Sequence, residues 1–156
     1  MVMAGTGDEL FLNRFVKYQN GIYLVYTEFM DQADFETIIC ETIAEIPKKL
    51  QDKIQNVVFT VEPEARQPQQ NEIKISHHSL LLGLYQGVPL TKRGINYSLV
   101  PPDKITFFQK NIELVSNNEP EKIRKLLKDV VLHEIAHYFG FSELEIRKLE
   151  NQKAES

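Results

Sequence analysis

The chain has 156 residues, 42% of them hydrophobic and 26% charged, with a formal charge of −4. That is enough for one well-cored globular domain and too little for two, and the acidic balance gives no electrostatic case for nucleic acid. One cysteine, Cys40, excludes an intramolecular disulfide and a cysteine-rich zinc site, and fits a reducing cytoplasm.

Residues 1–7 read as a loose tail. FVKYQ and IYLVYT flank Asn20-Gly21, a signal for a tight hairpin, with a helix over residues 8–17 as the competing reading. Met30 opens MDQADFETIICETIAEIP, which reads like a natural protein start. Residues 1–29 are therefore set apart as an N-terminal extension, either a hairpin or upstream sequence foreign to the natural protein, and residues 30–156 as the domain proper. The N-terminus shows no basic start followed by an apolar core, and no apolar run reaches membrane-spanning length, so neither a secretory signal nor a membrane partner is expected.

Phe35, Ile38, Ile39, Ile43 and Ile46 recur at helical spacing, with Asp31 or Asp34 as cap and Pro47 as the stop. A short helical turn over Lys48 to Ile54 follows. QNVVFTVE, residues 55–62, is β-branched and reads as a strand. PEARQPQQNEIKISHHS is polar and reads as a surface loop. LLLGLYQG, residues 80–87, and DKITFFQK, residues 103–110, read as two further strands. Asn117 or Asn118 should cap a long helix from about Pro120 to Phe139, which Gly140 stops. Ser142 and Glu145 form a capping box for a last helix. This order predicts an α+β domain, with a small mixed sheet packed against an active-site helix and an N-terminal helix.

Ile123, Leu126, Leu127 and Val130 define the inward face of the long helix. The same periodicity next reaches His133, Glu134 and His137. The pattern is H-E-x-x-H, in which two histidines one helical turn apart share a zinc ion and the glutamate acts as general base. Buried without partners, these groups would cost several kcal/mol, and a divalent cation relieves that cost. Otherwise they are two satisfied core histidines and a glutamate at a helix end. Gly140 and Glu143 extend the pattern to H-E-x-x-H-x-x-G-x-x-E. A glycine turn could swing Glu143 back as a third ligand, giving the His₂Glu set of catalytic zinc sites. Glu143 also suits the first turn of the last helix as a simple dipole partner, and Glu145 and Glu150 are alternative ligands.

HEIAHYFGFSE resembles the active-site stretch of the minimal zincins, a family of small bacterial candidate zinc metallopeptidases. MDQADFETIICETIAEIP, LLGLYQGVPLTKRG and PDKITFFQKNIE resemble the family's opening helix, central segment and the strand before its active-site helix. The likeness covers roughly residues 30–150. It implies a zincin-like fold, zinc as cofactor, His133, His137 and Glu143 as metal ligands, and Glu134 as catalytic base. It supplies no substrate. The spacing is also that of metzincins, but Glu143 stands where they carry histidine, and all three methionines lie upstream.

The expected reaction is hydrolysis of a peptide or other amide bond in a peptide or protein substrate, with Glu134 taking the proton of a water acidified by zinc. Candidates for a second oxyanion donor are Tyr85, ranked first, then Tyr97, Tyr138, His77 and His78. Tyr138 also suits packing on the sheet, and His77-His78 an exposed loop. Gly83 and Gly87 would admit a substrate backbone, though a plain turn explains Gly87. Lys92 and Arg93 read as surface charges. KITFFQ is either an exposed strand that accepts an extended peptide or an internal one. The competing functions are a non-catalytic zinc protein and a protein-interaction module using the same cleft. The sequence carries no signal for oligomeric state.

Overall fold

The computed structural model of the chain describes residues 2–4, 15–19, 22–26, 30–65, 79–94, 97 and 100–154. In chain order its elements are β1 (Val2–Ala4), β2 (Phe15–Gln19), β3 (Ile22–Tyr26), α1 (Gln32–Glu45), α2 (Lys48–Gln51), β4 (Val57–Glu62), β5 (Ser79–Leu81), β6 (Gly83–Gln86), a 3-10 turn (Leu90–Lys92), β7 (Asp103–Phe108), α3 (Gln109–Val115), α4 (Pro120–Phe139) and α5 (Glu143–Ala154). The architecture is α+β, as the order of elements predicts. No helix among the described residues is long and apolar enough to cross a membrane.

A mixed sheet runs β4–β7–β6. β7 lies in the middle, parallel to β4 from Val57↔Asp103 to Glu62↔Phe108 and antiparallel to β6 from Gly83↔Phe107 to Gln86↔Lys104. Ile105, Thr106, Phe107 and Phe108 are all fully buried, the continuous pattern of a strand covered on both faces. KITFFQ is thus internal and offers no edge to a peptide. α1 and α4 pack together beside the sheet. Phe35, Ile38 and Ile39 of α1 join Ile123, Leu127, Val130 and Val131 of α4 and Leu82, Ile105 and Phe107 of the sheet in one core. Each large side chain so buried contributes roughly 1.5–3 kcal/mol against conformational entropy.

α1 begins after Asp31, which makes no side-chain cap bond, and ends before Pro47. β2 and β3 pair from Phe15↔Tyr26 to Gln19↔Ile22, as a hairpin requires, so residues 15–17 are strand rather than helix. Asn20-Gly21 and residues 8–14 lie outside the described residues, as do 66–78 of the expected surface loop.

The structure corrects four expectations. Val2–Ala4 is not tail but a strand paired antiparallel with β5. LLLGLYQG forms two short strands broken at Leu82, whose carbonyl accepts the Phe108 N–H at 3.0 Å. β7 runs straight into α3, a helix of seven residues, too short for a 3.6-residue period to register. The N-cap of α4 is Glu119, not an asparagine. Asn117 and Asn118 stand at φ 53° and 56°, and so make the left-handed reversal that asparagine tolerates better than most residues.

Candidate metal centre

Pro120 occupies the first turn of α4, where its missing N–H is not needed, and Glu121 favours the positive end of the dipole. The inward stripe of Ile123, Leu127 and Val130 continues into His133 and Glu134, each only 3% exposed. Gly140 ends the helix at φ 104°. Its N–H reaches the His137 carbonyl at 3.0 Å and the Phe141 N–H reaches that of Ala136 at 3.1 Å, the paired bonds of a Schellman turn. A side chain at 140 would be excluded twice, by the backbone angle and by Thr91, whose Oγ1 fills the space a Cβ there would need. Ser142 then opens α5. Its N–H and hydroxyl donate to Glu145 Oε2 at 2.8 and 2.6 Å, so the capping box forms as expected.

This reversal carries α5 back beside α4 and brings His133, His137 and Glu143 together, with one ligand atom from each lying within 4.8 Å of the others. Glu143 Oε2 stands 3.1 Å from His133 Nε2 and 3.4 Å from His137 Nε2. Donors around one zinc ion, each roughly 2.1 Å from it, stand about 3.4 Å apart. The other ring nitrogens are engaged elsewhere, His133 Nδ1 with Glu150 Oε1 at 3.0 Å and His137 Nδ1 with the Phe141 carbonyl at 3.1 Å. A carbonyl and a carboxylate only accept, so both Nδ1 atoms donate. A neutral ring held this way turns its Nε2 lone pair toward that shared carboxylate oxygen. Three acceptors facing one another repel unless a cation, a proton or a metal ion, lies among them. Two imidazoles and a carboxylate fit zinc. Arg147 Nε donates to the other Glu143 oxygen at 2.8 Å. Burial pushes the Glu143 pKa up, but the Arg147 bond and the nearby His133 outweigh it and hold the carboxyl below its ordinary range.

Glu134 faces the sheet. Its Oε2 accepts the backbone N–H of Tyr85 at 2.8 Å, so the edge strand β6 tethers it. Burial raises its pKa, against the pull of the two histidines and the Tyr85 bond. Gly83 makes this approach feasible, because a methyl there would lie 2.9 Å from both Glu134 Cγ and Oε1.

The remaining candidates distribute differently from expectation. The Tyr85 hydroxyl donates to Asp103 at 2.7 Å and that of Tyr97 to the same carboxylate at 3.1 Å. Burial, and then Asp103, raise the Tyr85 pKa well above the ordinary phenol value. Tyr138 is fully buried, and its hydroxyl meets the backbone of Lys53 and Gln55. These three hydroxyls are therefore committed to structural bonds, and His77 and His78 lie outside the described residues. Arg93 is not a surface charge. It pairs with buried Asp103 and stacks over the rings of Tyr97 and Tyr138 at 4.7 and 4.9 Å. Gly87 serves that pair, since a methyl there would collide with the Asp103 carboxylate. Asp103 and Arg147 are supporting groups the sequence did not single out, and Gly83 and Gly87, read as admitting a substrate backbone, instead make room for Glu134 and Asp103. Glu150, an alternative ligand by sequence, meets the Nδ1 side of His133 instead. A separate groove of about 620 Å³ between α1, α2 and α4 includes Ile46, Leu50, Leu132 and Phe139 in its lining but none of the four site residues.

A family model described as zincin-like metallopeptidase matches residues 54–153. Among curated proteins, none matches the chain.

Proposed function

The chain belongs to the zincin-like metallopeptidase family, and from that premise we propose that it hydrolyses a peptide or other amide bond with zinc held by His133, His137 and Glu143 and with Glu134 as general base. The single observation that carries this proposal is the convergence at the centre: the Nε2 atoms of His133 and His137 lie 3.1 and 3.4 Å from one Glu143 oxygen, with both Nδ1 atoms facing acceptors elsewhere. When bound there, zinc supplies Lewis acidity toward a carbonyl oxygen and lowers the pKa of a water.

The chain's own part is proton transfer and orientation. Glu134 takes the proton from the attacking water as its oxygen bonds to the carbonyl carbon. It returns that proton to the nitrogen as the C–N bond breaks. The Tyr85 N–H holds one carboxylate oxygen and so limits the angles through which the base can swing. The substrate is a peptide or protein. The catalytic unit extends over residues 30–156, with residues 1–29 as an extension, and the lone exposed Cys40 suits a cytoplasmic protein.

Glu134→Gln tests the assignment. The variant should retain zinc and lose about 10²–10⁴-fold in peptide turnover, the usual contribution of a general base. Unchanged turnover would remove Glu134 from the mechanism. Chelator-insensitive cleavage by the parent protein would remove zinc from it.

A further inference from the structure

One face of α5 carries Glu143, Arg147 and Glu150, spaced four and three residues apart and therefore stacked along a single stripe. The stripe is anchored by Ile146, the one buried residue of α5 among those described. Glu143 reaches the two Nε2 atoms and Arg147 holds its second oxygen. Glu150 reaches neither Glu143 nor His137. Its Oε1 lies 3.0 Å from His133 Nδ1, on the far side of a ring that is 3% exposed.

We propose that Glu150 is a positioning residue for the metal centre, accepting the Nδ1 hydrogen of His133 and so presenting its Nε2 lone pair to the ion. This rests on reading His133 as a zinc ligand. An imidazole with Nδ1–H donated to a carboxylate is locked in tautomer and ring angle, and its other nitrogen becomes more basic. His137 receives the weaker equivalent from the Phe141 carbonyl, so the two ligands are oriented by groups of different charge. His133 is the more strongly polarised of the pair. The assignment also separates the three acids of α5: Glu143 as ligand, Glu145 as the Ser142 cap, and Glu150 as orienter.

The full-length chain with Glu150→Ala and Glu150→Gln tests it, through two measurements that need no turnover. Zinc affinity is read by competition with a chromophoric chelator. The His133 ring tautomer is read from imidazole ¹⁵N signals of metal-free protein, well above the pH at which histidine protonates. Glu150→Ala should weaken zinc about 10–100-fold and shift the His133 signals away from the Nδ1–H form. Glu150→Gln, which still offers an acceptor oxygen, should fall between it and the parent. Alanine is the best helix former, so Glu150→Ala keeps α5 helical, and the His133 tautomer separates lost orientation of the ring from looser docking of the helix. Unchanged affinity and unchanged tautomer would overturn the positioning role. So would loss of zinc as complete as in Glu143→Ala, which would make Glu150 a ligand. If the parent protein itself binds no zinc, the proposed function fails as well. If the parent binds zinc and Glu150→Ala binds it equally well, only the role of Glu150 fails.

Discussion

A methyl group on Gly83 would stand 2.7 Å from Val130 Cγ1 and 2.9 Å from Glu134. Val130 is a buried, β-branched residue that cannot swing aside. Gly83→Ala should therefore cost about 1–3 kcal/mol, as overpacking does, and should lower turnover further by displacing the base. Urea denaturation and kcat together check this; a fully stable variant with reduced kcat would mean that only Glu134 had moved. Glu113 supplies a second test. It is 1% exposed, its Oε1 accepts from Met30 N–H and Gln109, and its Oε2 has no partner among the described residues. Burial raises its pKa, against the smaller lowering effect of those two bonds. Between the ordinary carboxylate range and the raised value, the folded protein binds more protons than the unfolded one. Stability contributed by this group is therefore lost as pH rises through that window. Glu113→Gln should remove the loss, so its advantage over the parent grows with pH across the window and then levels off. A pH-independent difference in urea midpoints would contradict this. The sequence shows His133, Glu134, His137 and Glu143 because all four fall within a few helical turns. It is silent on Asp103 with Tyr85, or Glu134 with the Tyr85 N–H, which meet across 18 and 49 positions, because such pairings leave no periodic trace.

At the scale of elements, α5 is the least held by hydrophobic burial of the three long helices, α1, α4 and α5. Ile146 alone is buried among its described residues, while Leu144 and Leu149 are 65% and 52% exposed. Polar contacts from Glu143 and Glu150 supply the rest. Ser142→Ala should cost about 1 kcal/mol of local helix stability, the usual value of an N-cap, and fray α5 before α4. Removing zinc with a chelator should speed amide exchange in α5 while leaving the core turns of α4 protected. Equal protection in α5 with and without metal would count against zinc as its fastener. Legibility at this scale follows signal length. α4 is readable from end to end because proline, a long apolar stripe and glycine bracket it. α3 escapes detection at seven residues, and the break at Leu82 is marked only by the neighbouring Gly83, which a continuous strand also tolerates.

For the molecule as a whole, the α+β class was legible from the sequence of periods, but the pairing order was not. The central strand joins β4 in parallel, Val57 against Asp103, and no local turn dictates such a register. α1 and α4 are likewise linked across 83 positions by Glu41–Arg124 and Glu45–Lys128, exposed pairs worth less than about 1 kcal/mol each. Zinc should stabilise this assembly through mass action, by about 2.7 kcal/mol at a hundredfold excess over Kd, read as a rise in Tm that a chelator reverses. No shift in Tm would mean that the ion does not favour the native state.

The three donors span only residues 133–143, so a chain that has closed just its final helical hairpin already owns a grip for the ion. What aims the carboxylate comes from a strand far upstream. On the proposed function, capture of the ion and competence to use it would thus be separable. Metal stoichiometry would then count closed hairpins, whereas turnover would count molecules in which β6 has arrived.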